Sequence, residues 1–332
     1  MKVSGVSYSS DRKLSRCEQQ YDYRYTQGLR AKSKGRGLYA GDWIHHLLEA
    51  YRKKKDWKKE WKRFKKEKWD KLFDEEKEDY GLDFPQLVYD LFEHYVDHYG
   101  GDEDWEVVEI EKLYELKTKH GWPIRWKSDF IVRSKSTKKY ILVENKNHKK
   151  IPEVDARMLA PQTHGYCFLL SKVGIRIDKI VWDYIRTEEV PRPQILKDGS
   201  LSKRKLQTDQ RGYLKSLKEA GIHPQNEQER IGIENVVKNL PETLSLLRVT
   251  NTPNLKLGEL WVRGWIERAH RAESIKNPLR TWTKNCKWDC DYFTLCQVDM
   301  LGHDREHEIK KNFVDAKAIK PAEEVREEKE DV

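Results

Sequence analysis

The sequence lacks any long apolar run. Charged residues make up 36% of its 332 residues and the mean hydropathy is −0.93. No stretch approaches the roughly 18 apolar residues that a membrane helix needs. The first residues, Met1 to Ser15, also lack the apolar segment of a secretory signal. We therefore expect a cytoplasmic protein with no membrane partner.

Cysteine is scarce as well, and three of the five cysteines lie close together. Cys286, Cys290 and Cys296 fall within eleven residues, which indicates metal ligation rather than a disulfide framework. Cys17 is the natural candidate for a fourth ligand. Cys167 lies in the apolar run Tyr-Cys-Phe-Leu-Leu, so we expect a buried thiol there. Four cysteines fit Zn²⁺ or an iron–sulfur cluster, and the lack of paired Cys-x-x-Cys spacing favours iron–sulfur without deciding the matter.

Positive charge is in surplus. The 65 lysines and arginines exceed the 56 aspartates and glutamates by 9. The segment after Pro321 holds six acids and two bases, so the rest of the chain stands at +13. Such a surplus is compatible with a phosphate backbone as partner, although many soluble proteins are also basic.

Hydrophobic spacing predicts strands in the middle of the chain and helices around them. The predicted helices are Tyr39 to beyond Tyr51, Arg52–Lys71, Pro152–Leu170, Thr208–Ala220, Asn226–Leu246 and Leu257–Ile275. The predicted strands include Trp126–Val132, Lys139–Val143 and Lys179–Arg186. This order favours an α/β fold with a mixed central sheet flanked by helices. We expect one domain over residues 1–300, a helical insertion at 191–256, and a charged, disordered tail at 301–332.

Two acids and a lysine at the end of predicted strands carry the central chemical signal. Glu144 and Lys146 are two residues apart on one strand, so both point to the same face. Asp129 lies on the preceding predicted strand and can face the same point. Two neighbouring carboxylates repel unless a cation lies between them, and hard oxygen ligands suit Mg²⁺ or Mn²⁺. Lys146 could orient a water whose pKa the metal lowers, an arrangement suited to phosphodiester hydrolysis. The alternative is an ordinary hairpin with surface charges.

Two helical patterns accompany this signal. His45 follows Gly41 by four residues and precedes Glu49 by four on one helix face, so it could complete a metal site, although His46 competes with it. Gln162 and Tyr166 also share a helix face, and an amide with a phenol can hold a phosphate or a base. The alternative for each pattern is ordinary helix packing.

The complete order of these motifs resembles the RecB-like branch of the PD-(D/E)XK nucleases, and in particular its iron–sulfur subgroup. That subgroup includes the AddB nuclease domain, CRISPR-associated exonucleases and phage-encoded relatives. The motifs run in the order Cys17, Gly41 to His45, Asp129, Glu144-x-Lys146, Gln162 to Tyr166, and Cys286, Cys290 and Cys296. The match spans nearly the whole chain. The resemblance implies a restriction-endonuclease-like sheet, with the terminal helical segments joined at a four-cysteine cluster.

The resemblance also implies roles for individual residues. Asp129, Glu144 and Lys146 would be catalytic, and Gln162 and Tyr166 would contact substrate. The expected metal ligands are His45, Asp129, Glu144 and the carbonyl of Asn145, while Cys17, Cys286, Cys290 and Cys296 would hold a [4Fe–4S] cluster. Glu111 would match a further acid of the family, with Glu109 as its competitor.

The function implied is that of a Mg²⁺- or Mn²⁺-dependent exonuclease acting on DNA ends. Single strands and 5′-to-3′ cleavage are expected, in phage recombination or replication within the host cytoplasm, with proteins of those processes as partners. One alternative is a CRISPR spacer-processing exonuclease. The other is a DNA-binding accessory subunit without catalysis, against which the intact set of Asp129, Glu144 and Lys146 argues.

Overall fold

A computed structural model gives the fold, and it describes residues 1, 3–32, 35–100, 104–149, 151, 158–202 and 207–315. Its helices are α1 Tyr8–Arg16, α2 Glu18–Tyr21, α3 Arg36–Arg52, α4 Trp57–Phe64, α5 Asp74–Tyr80, α6 Phe84–Tyr99, α7 Pro161–Lys172, α8 Gln210–Glu219, α9 Glu227–Asn239, α10 Leu255–Glu273, α11 Cys286–Asp289, α12 Phe293–Leu301 and α13 Arg305–Asn312. Its strands are β1 Leu29–Ala31, β2 Trp105–Ile110, β3 Leu113–Lys117, β4 Pro123–Lys127, β5 Phe130–Ser134, β6 Tyr140–His148, β7 Lys179–Arg186, β8 Leu246–Asn251 and β9 Phe313–Asp315. Short π-helical turns span Asp22–Thr26 and Lys65–Trp69.

A five-stranded mixed sheet forms the centre of the protein. The strand order is β2-β5-β6-β7-β8. Strands β6 and β7 are parallel and are connected through α7, while the other neighbours are antiparallel. The predicted mixed sheet with flanking helices is confirmed, and β7 spans the predicted residues, Lys179–Arg186. Strands β3 and β4 form a separate antiparallel pair beside this sheet.

Alternating residues of the central strands feed two hydrophobic clusters, one on each face, as the period of a strand requires. One face packs against α7 and α10, and its buried residues include Ile131, Leu142, Trp182, Leu169 and Trp265. The other face packs against α3 and α6, and its buried residues include Phe130, Val143, Val181, Trp43 and Phe92. The helices thereby sandwich the sheet and fix α3 and α7 at opposite faces of β6.

Two predicted helices are shorter than expected. Helix α9 ends at Asn239, and Leu246 begins β8, an edge strand of the central sheet. Pro241 explains the end of α9, because the residue before a proline disfavours helical backbone. The region 191–256 is therefore not purely a helical insertion, because it also supplies a strand. In the Lys-rich stretch, the helix begins only at Trp57, where the Asp56 side chain caps it by accepting from the N–H groups of Lys58 and Lys59.

The start of the predicted tail is also wrong. Residues 305–312 form α13, and β9 pairs antiparallel with β1. Phe313 is buried against Tyr23, Leu295 and Tyr292, and this apolar anchor holds a segment whose composition is otherwise charged. Residues 316–332 of the predicted tail lie outside the described residues, as do residues 152–157 of the predicted helix before α7.

Contacts between the two ends of the chain close the fold. The Arg268 guanidinium of α10 donates to both carboxylate oxygens of Asp11 on α1, at 2.6 and 3.0 Å. Tyr23 donates its hydroxyl to Asp299 at 2.5 Å. These contacts set the N-terminal helices against the C-terminal segment, as predicted. Among the described helices, none combines the length and the apolar character needed to span a bilayer.

Candidate active site

Asp129 and Glu144 are brought together by the pairing of β5 with β6. The predicted strand Trp126–Val132 is divided between β4 and β5, so Asp129 lies just before β5 and not on a strand as predicted. The register of β5 with β6 places Phe130 opposite Val143. The Asp129 Oδ2 atom accepts a hydrogen bond from the Asn145 N–H at 2.7 Å. This bond fixes the Asp129 carboxylate beside the strand that carries Glu144, so the two acids share the same end of the sheet.

Glu144 and Lys146 point to the α7 side of β6. The Lys146 Nζ atom donates to Glu144 Oε2 at 2.9 Å and to Gln162 Oε1 of α7 at 3.0 Å. Glu144 is 0% exposed, and its Oε1 atom finds no hydrogen-bond partner among the described residues. A buried carboxylate oxygen that is left free in this way is costly, and a bound cation would satisfy it.

The electrostatics of this pair follow from its burial. Burial raises the pKa of the Glu144 carboxyl to about 7, although the Lys146 ammonium opposes the rise. Burial alone would lower the pKa of Lys146, but the charges of Glu144 and Asp129 raise it above its ordinary value. The structure therefore holds the positive charge of Lys146 against the buried Glu144.

Glu111 and His45 approach Asp129 from two other elements. Glu111 follows β2 with a φ of 51°, a left-handed conformation that is uncommon for a residue with a side chain. Its N–H donates to the Asp129 carbonyl at 2.9 Å, and its Oε1 atom lies 3.5 Å from His45 Nδ1 of α3. One ligand atom from each of His45, Glu111 and Asp129 lies within 4.8 Å of the other two. Such local backbone strain is found disproportionately at functional sites.

The pKa values of His45 and Glu111 reflect their mutual contact. Burial lowers the pKa of the His45 imidazole, but the bond to Glu111 and the charge of Asp129 outweigh it and raise the pKa. Burial raises the pKa of Glu111, but His45 and Lys127 lower it below its ordinary value. The Lys127 Nζ atom lies 2.6 Å from Glu111 Oε2. The Glu111 carboxylate is therefore kept ionised beside Asp129.

The structure decides between the competing residues of the sequence. His46 lies 3.3 Å from Glu60 and stacks on Phe64, away from the group around Asp129. Glu109 contacts Lys112 at 2.8 Å and accepts a hydrogen bond from Tyr114. His45 and Glu111 are therefore the residues that join the acids. The left-handed turn that aims Glu111 inward has no signal in the sequence, because it occurs at a residue other than glycine.

A family model described as the PD-(D/E)XK nuclease superfamily matches residues 5–297. The chain belongs to this superfamily. No curated protein matches the chain significantly. Among crystal structures, a candidate exonuclease from Eubacterium rectale is 10% identical, with 86% of this chain and 88% of that chain covered and a TM-score of 0.46. The structure of SSO0001 is 14% identical, with 89% and 87% covered and a TM-score of 0.34.

Membership makes this PD-(D/E)XK protein a hydrolytic nuclease, and the family implies DNA as its substrate. Nucleases of the superfamily generally use divalent metals, and the group of His45, Glu111 and Asp129 could hold such an ion. The donor set fits a hard cation, because carboxylate oxygens dominate it and one oxygen of the buried Glu144 has no described partner.

Helix α7 places Gln162 and Tyr166 of the nuclease beside Lys146. The Gln162 amide receives the Lys146 bond and donates to the Tyr166 hydroxyl at 3.5 Å. Burial raises the pKa of the Tyr166 phenol. A Cβ atom at Gly165 would lie 2.9 Å from Trp265 Cζ2 of α10 and closer still to Cη2. The glycine therefore allows α10 to press against α7 and hold Gln162 at the end of β6.

The four predicted cysteine ligands line one hollow between the two ends of the chain: Cys17, Cys286, Cys290 and Cys296. Three donors point at these sulfurs. The Thr281 N–H reaches Cys17 Sγ at 3.5 Å, the Thr283 N–H reaches Cys286 Sγ at 3.3 Å, and Gln20 Nε2 reaches Cys290 Sγ at 3.6 Å. Hydrogen bonds of this kind stabilise thiolates.

Cys167 lies elsewhere in the protein. It is 0% exposed within the cluster between the sheet and α10. Burial raises the pKa of this thiol, so it remains protonated and inert. The arrangement agrees with its interpretation as a core residue.

Proposed function

We propose that the protein is an exonuclease of the RecB-like iron–sulfur branch, which hydrolyses phosphodiester bonds at DNA ends. Its preferred substrate is single-stranded DNA, cleaved from 5′ to 3′ with Mg²⁺ or Mn²⁺, and its biological setting is phage recombination or replication. The observation that carries the proposal is the convergence of Asp129, Glu144 and Lys146 at one end of the buried sheet. An ordinary surface hairpin would leave such charges in water.

The residues divide the work as follows. Asp129, Glu144, His45 and the Asn145 carbonyl would hold the divalent cation, and the position of Glu111 adds a further acid to this set. When bound, the cation lowers the pKa of a water and offsets charge at the phosphate. Lys146 orients the attacking water and presents its positive charge to the scissile group. Its two hydrogen bonds, to Glu144 and Gln162, hold the ammonium in one position.

Gln162 and Tyr166 position the substrate in this proposal. Both side chains lie on the face of α7 that meets Lys146, and an amide and a phenol can both bond to a phosphate oxygen or a base edge.

The proposed second cofactor is a [4Fe–4S] cluster bound by Cys17, Cys286, Cys290 and Cys296. Four thiols at one hollow and donors aimed at their sulfurs support a cysteine-ligated group. The spacing of these cysteines lacks the paired Cys-x-x-Cys motifs of common zinc sites, and we therefore prefer an iron–sulfur cluster to zinc.

We also revise the C-terminal boundary of the nuclease domain, which the sequence placed at residue 300. The nuclease domain extends beyond residue 300 to Asp315, because β9 pairs with β1 beside the cysteine hollow.

Digestion of end-labelled DNA tests the proposal. Single-stranded and double-stranded substrates labelled at the 5′ or the 3′ end are incubated with the protein and Mn²⁺, with EDTA as control. The proposal expects mononucleotide or short products released first from the 5′ end of single strands, and none with EDTA. Nicking within circular DNA at the same rate would contradict exonuclease action, and early release of the 3′ label would contradict the polarity.

A further inference from the structure

An open groove of about 410 Å³ lies between α1 and α10 and ends at the first residue of α7. Its lining includes Tyr8, Arg12 and Arg16 of α1, Trp261 and Arg268 of α10, and Pro161 of α7. Neither the metal group nor the cysteine hollow accounts for this surface, which shares Arg16 with the lining of the hollow.

The groove has a net positive charge. Asp11 is an acid in its lining, and the bidentate contact with Arg268 neutralises it. Arg16 lies 2.9 Å from Asp289, whose side chain is mostly exposed. Arg12 is exposed and forms no ion pair with any residue that the structure describes. Exposed ion pairs contribute little, so Arg12 and Arg16 are both available to an anionic ligand.

Aromatic rings line the groove together with these arginines. Trp261 and Tyr8 are half-buried, and the Tyr8 ring packs on Trp265 with the centroids 5.8 Å apart. Trp265, which also lines the groove, is buried and supports the Tyr8 ring from below. An aromatic surface beside arginines is the combination that binds single-stranded nucleic acid, because bases stack on rings while phosphates meet cations. In a duplex the base faces are already stacked on one another.

One end of the groove lies next to a residue that contacts Lys146. Pro161 adjoins Gln162, whose amide bonds to Lys146. Tyr8 also lies close enough to Lys146 and Tyr166 to affect the pKa of both, although burial and the nearer carboxylates affect them more. A strand bound along α1 would therefore lead directly to the end of β6. The nine residues of α1 extend roughly 12 Å from Tyr8 to Arg16, enough for a few nucleotides.

We propose that this groove binds the single-stranded segment of the DNA next to the scissile phosphate, with bases on Trp261 and Tyr8 and phosphates on Arg12 and Arg16. The inference rests on the proposed nuclease function and adds the feature that selects single strands over duplexes.

Binding measured without cleavage tests the inference. Fluorescence anisotropy of a short labelled oligothymidylate and of a matched duplex is recorded with Ca²⁺ in place of Mn²⁺. Trp261→Ala should weaken single-strand binding by about fivefold or more, the lower limit for loss of one stacked base. Arg12→Gln should lower the salt slope by about 0.7, which corresponds to one phosphate contact. Duplex affinity should change much less, and Trp261→Phe should retain most of the single-strand affinity.

Arg263→Gln is the matched control, because Arg263 is an exposed arginine of α10 that does not line the groove. Its affinity and salt slope should equal those of the wild type. The inference would be overturned if Trp261→Ala and Arg12→Gln bound single strands as tightly as the wild type does. It would also be overturned if the two variants lost as much affinity for the duplex as for single strands. If either result is found while the wild type cleaves DNA normally, the proposed function remains intact. If the groove variants lose single-strand affinity but the wild type cleaves no DNA, only the proposed function is contradicted.

Photocrosslinking of the unaltered protein covers the case in which Trp261→Ala does not fold. An oligonucleotide that carries 5-iodouracil is irradiated on the wild type and the crosslinked peptide is identified by mass spectrometry. The inference expects attachment to the peptide that contains Tyr8 or Trp261. Attachment confined to other surfaces would overturn it.

Discussion

Lys146 donates a hydrogen bond to Glu144, two residues before it on the same strand, with 2.9 Å between Nζ and Oε2. Glu144 is buried and Lys146 half-buried near the end of β6, where Asp129 bonds to the neighbouring Asn145 and Gln162 accepts from Lys146. A buried ion pair of this kind is weak evidence for stability, because desolvation offsets much of its attraction. The pair lies among hydrogen-bonding groups at the rim of the sheet. Chemistry on a charged substrate explains this position better than a contribution to stability does.

Asp129→Asn should weaken binding of Mn²⁺ by at least about tenfold. The amide keeps the shape of the side chain and can still accept the Asn145 N–H bond, but it removes one of few negative ligands from a hard cation. Isothermal calorimetry measures the affinity. Glu109→Gln is the control, since Glu109 turns toward Lys112 and its loss should leave the affinity unchanged. Equal Mn²⁺ affinity in Asp129→Asn and wild type would place the cation elsewhere.

Gln162→Ala and Tyr166→Phe should each slow cleavage of short single strands without stopping it. Both side chains are proposed to position substrate and neither is a metal ligand, so a loss of about 3- to 30-fold is expected, corresponding to one or two hydrogen bonds. Lys172→Gln, at the other end of α7, is the control and should retain the wild-type rate. If both α7 variants cleave as fast as this control, that face of the helix does not meet the scissile strand.

Cys17→Ser should remove the metal load of the cysteine site and destabilise the whole protein. The site joins residue 17 to residues near 290, so loss of the bound group frees a very long loop in the unfolded chain. Anaerobically purified wild type should be brown and contain iron and acid-labile sulfide, and Cys167→Ser should contain the same amounts. Colourless protein with stoichiometric zinc would contradict the cluster. A full metal load in Cys17→Ser would contradict the fourth ligand.

Gly165→Ala should destabilise the protein by about 1–3 kcal/mol, the usual range for overpacking. The new methyl group would press on the Trp265 ring and separate α7 from α10, so cleavage should also slow as Gln162 moves. Thermal unfolding and the cleavage rate measure the two effects. Gly232→Ala on the exposed face of α9 is the matched control, because nothing lies within 4 Å of its new Cβ atom. Similar melting temperatures for both variants would refute the close packing of α7 against α10.

Strands β6 and β7 could be predicted from the sequence because their residues repeat locally, whereas the predicted strand Trp126–Val132 is divided between β4 and β5. Strand β7 consists mostly of β-branched and aromatic residues bounded by polar turns, and its predicted bounds agree with the structure. The pairing of Glu144 with Lys146 followed from the two-residue period of the strand that carries them.

Features that depend on distant contacts could not be predicted in the same way. Strand β9 exists because it pairs with β1, nearly three hundred residues earlier in the chain, and Phe313 alone anchors it among charged neighbours. The inward position of Glu111 depends on a left-handed backbone conformation that is stabilised by its bond to the Asp129 carbonyl. Neither feature has a local pattern that a sequence reveals.

Cleavage by Lys146→Ala tests the central claim most directly. We compare this variant with the wild type and with Lys139→Ala on 5′-labelled single-stranded DNA with Mn²⁺. Lys139 is an exposed residue that directly precedes the first residue of β6, at the end of the strand away from Lys146. Circular dichroism and DNA binding serve as controls for folding. We predict that Lys146→Ala folds and binds DNA but loses at least about 100-fold in rate, the lower range for a group that assists proton transfer, while Lys139→Ala remains fully active. A folded Lys146→Ala protein that cleaves at the wild-type rate would contradict the assignment of the active site.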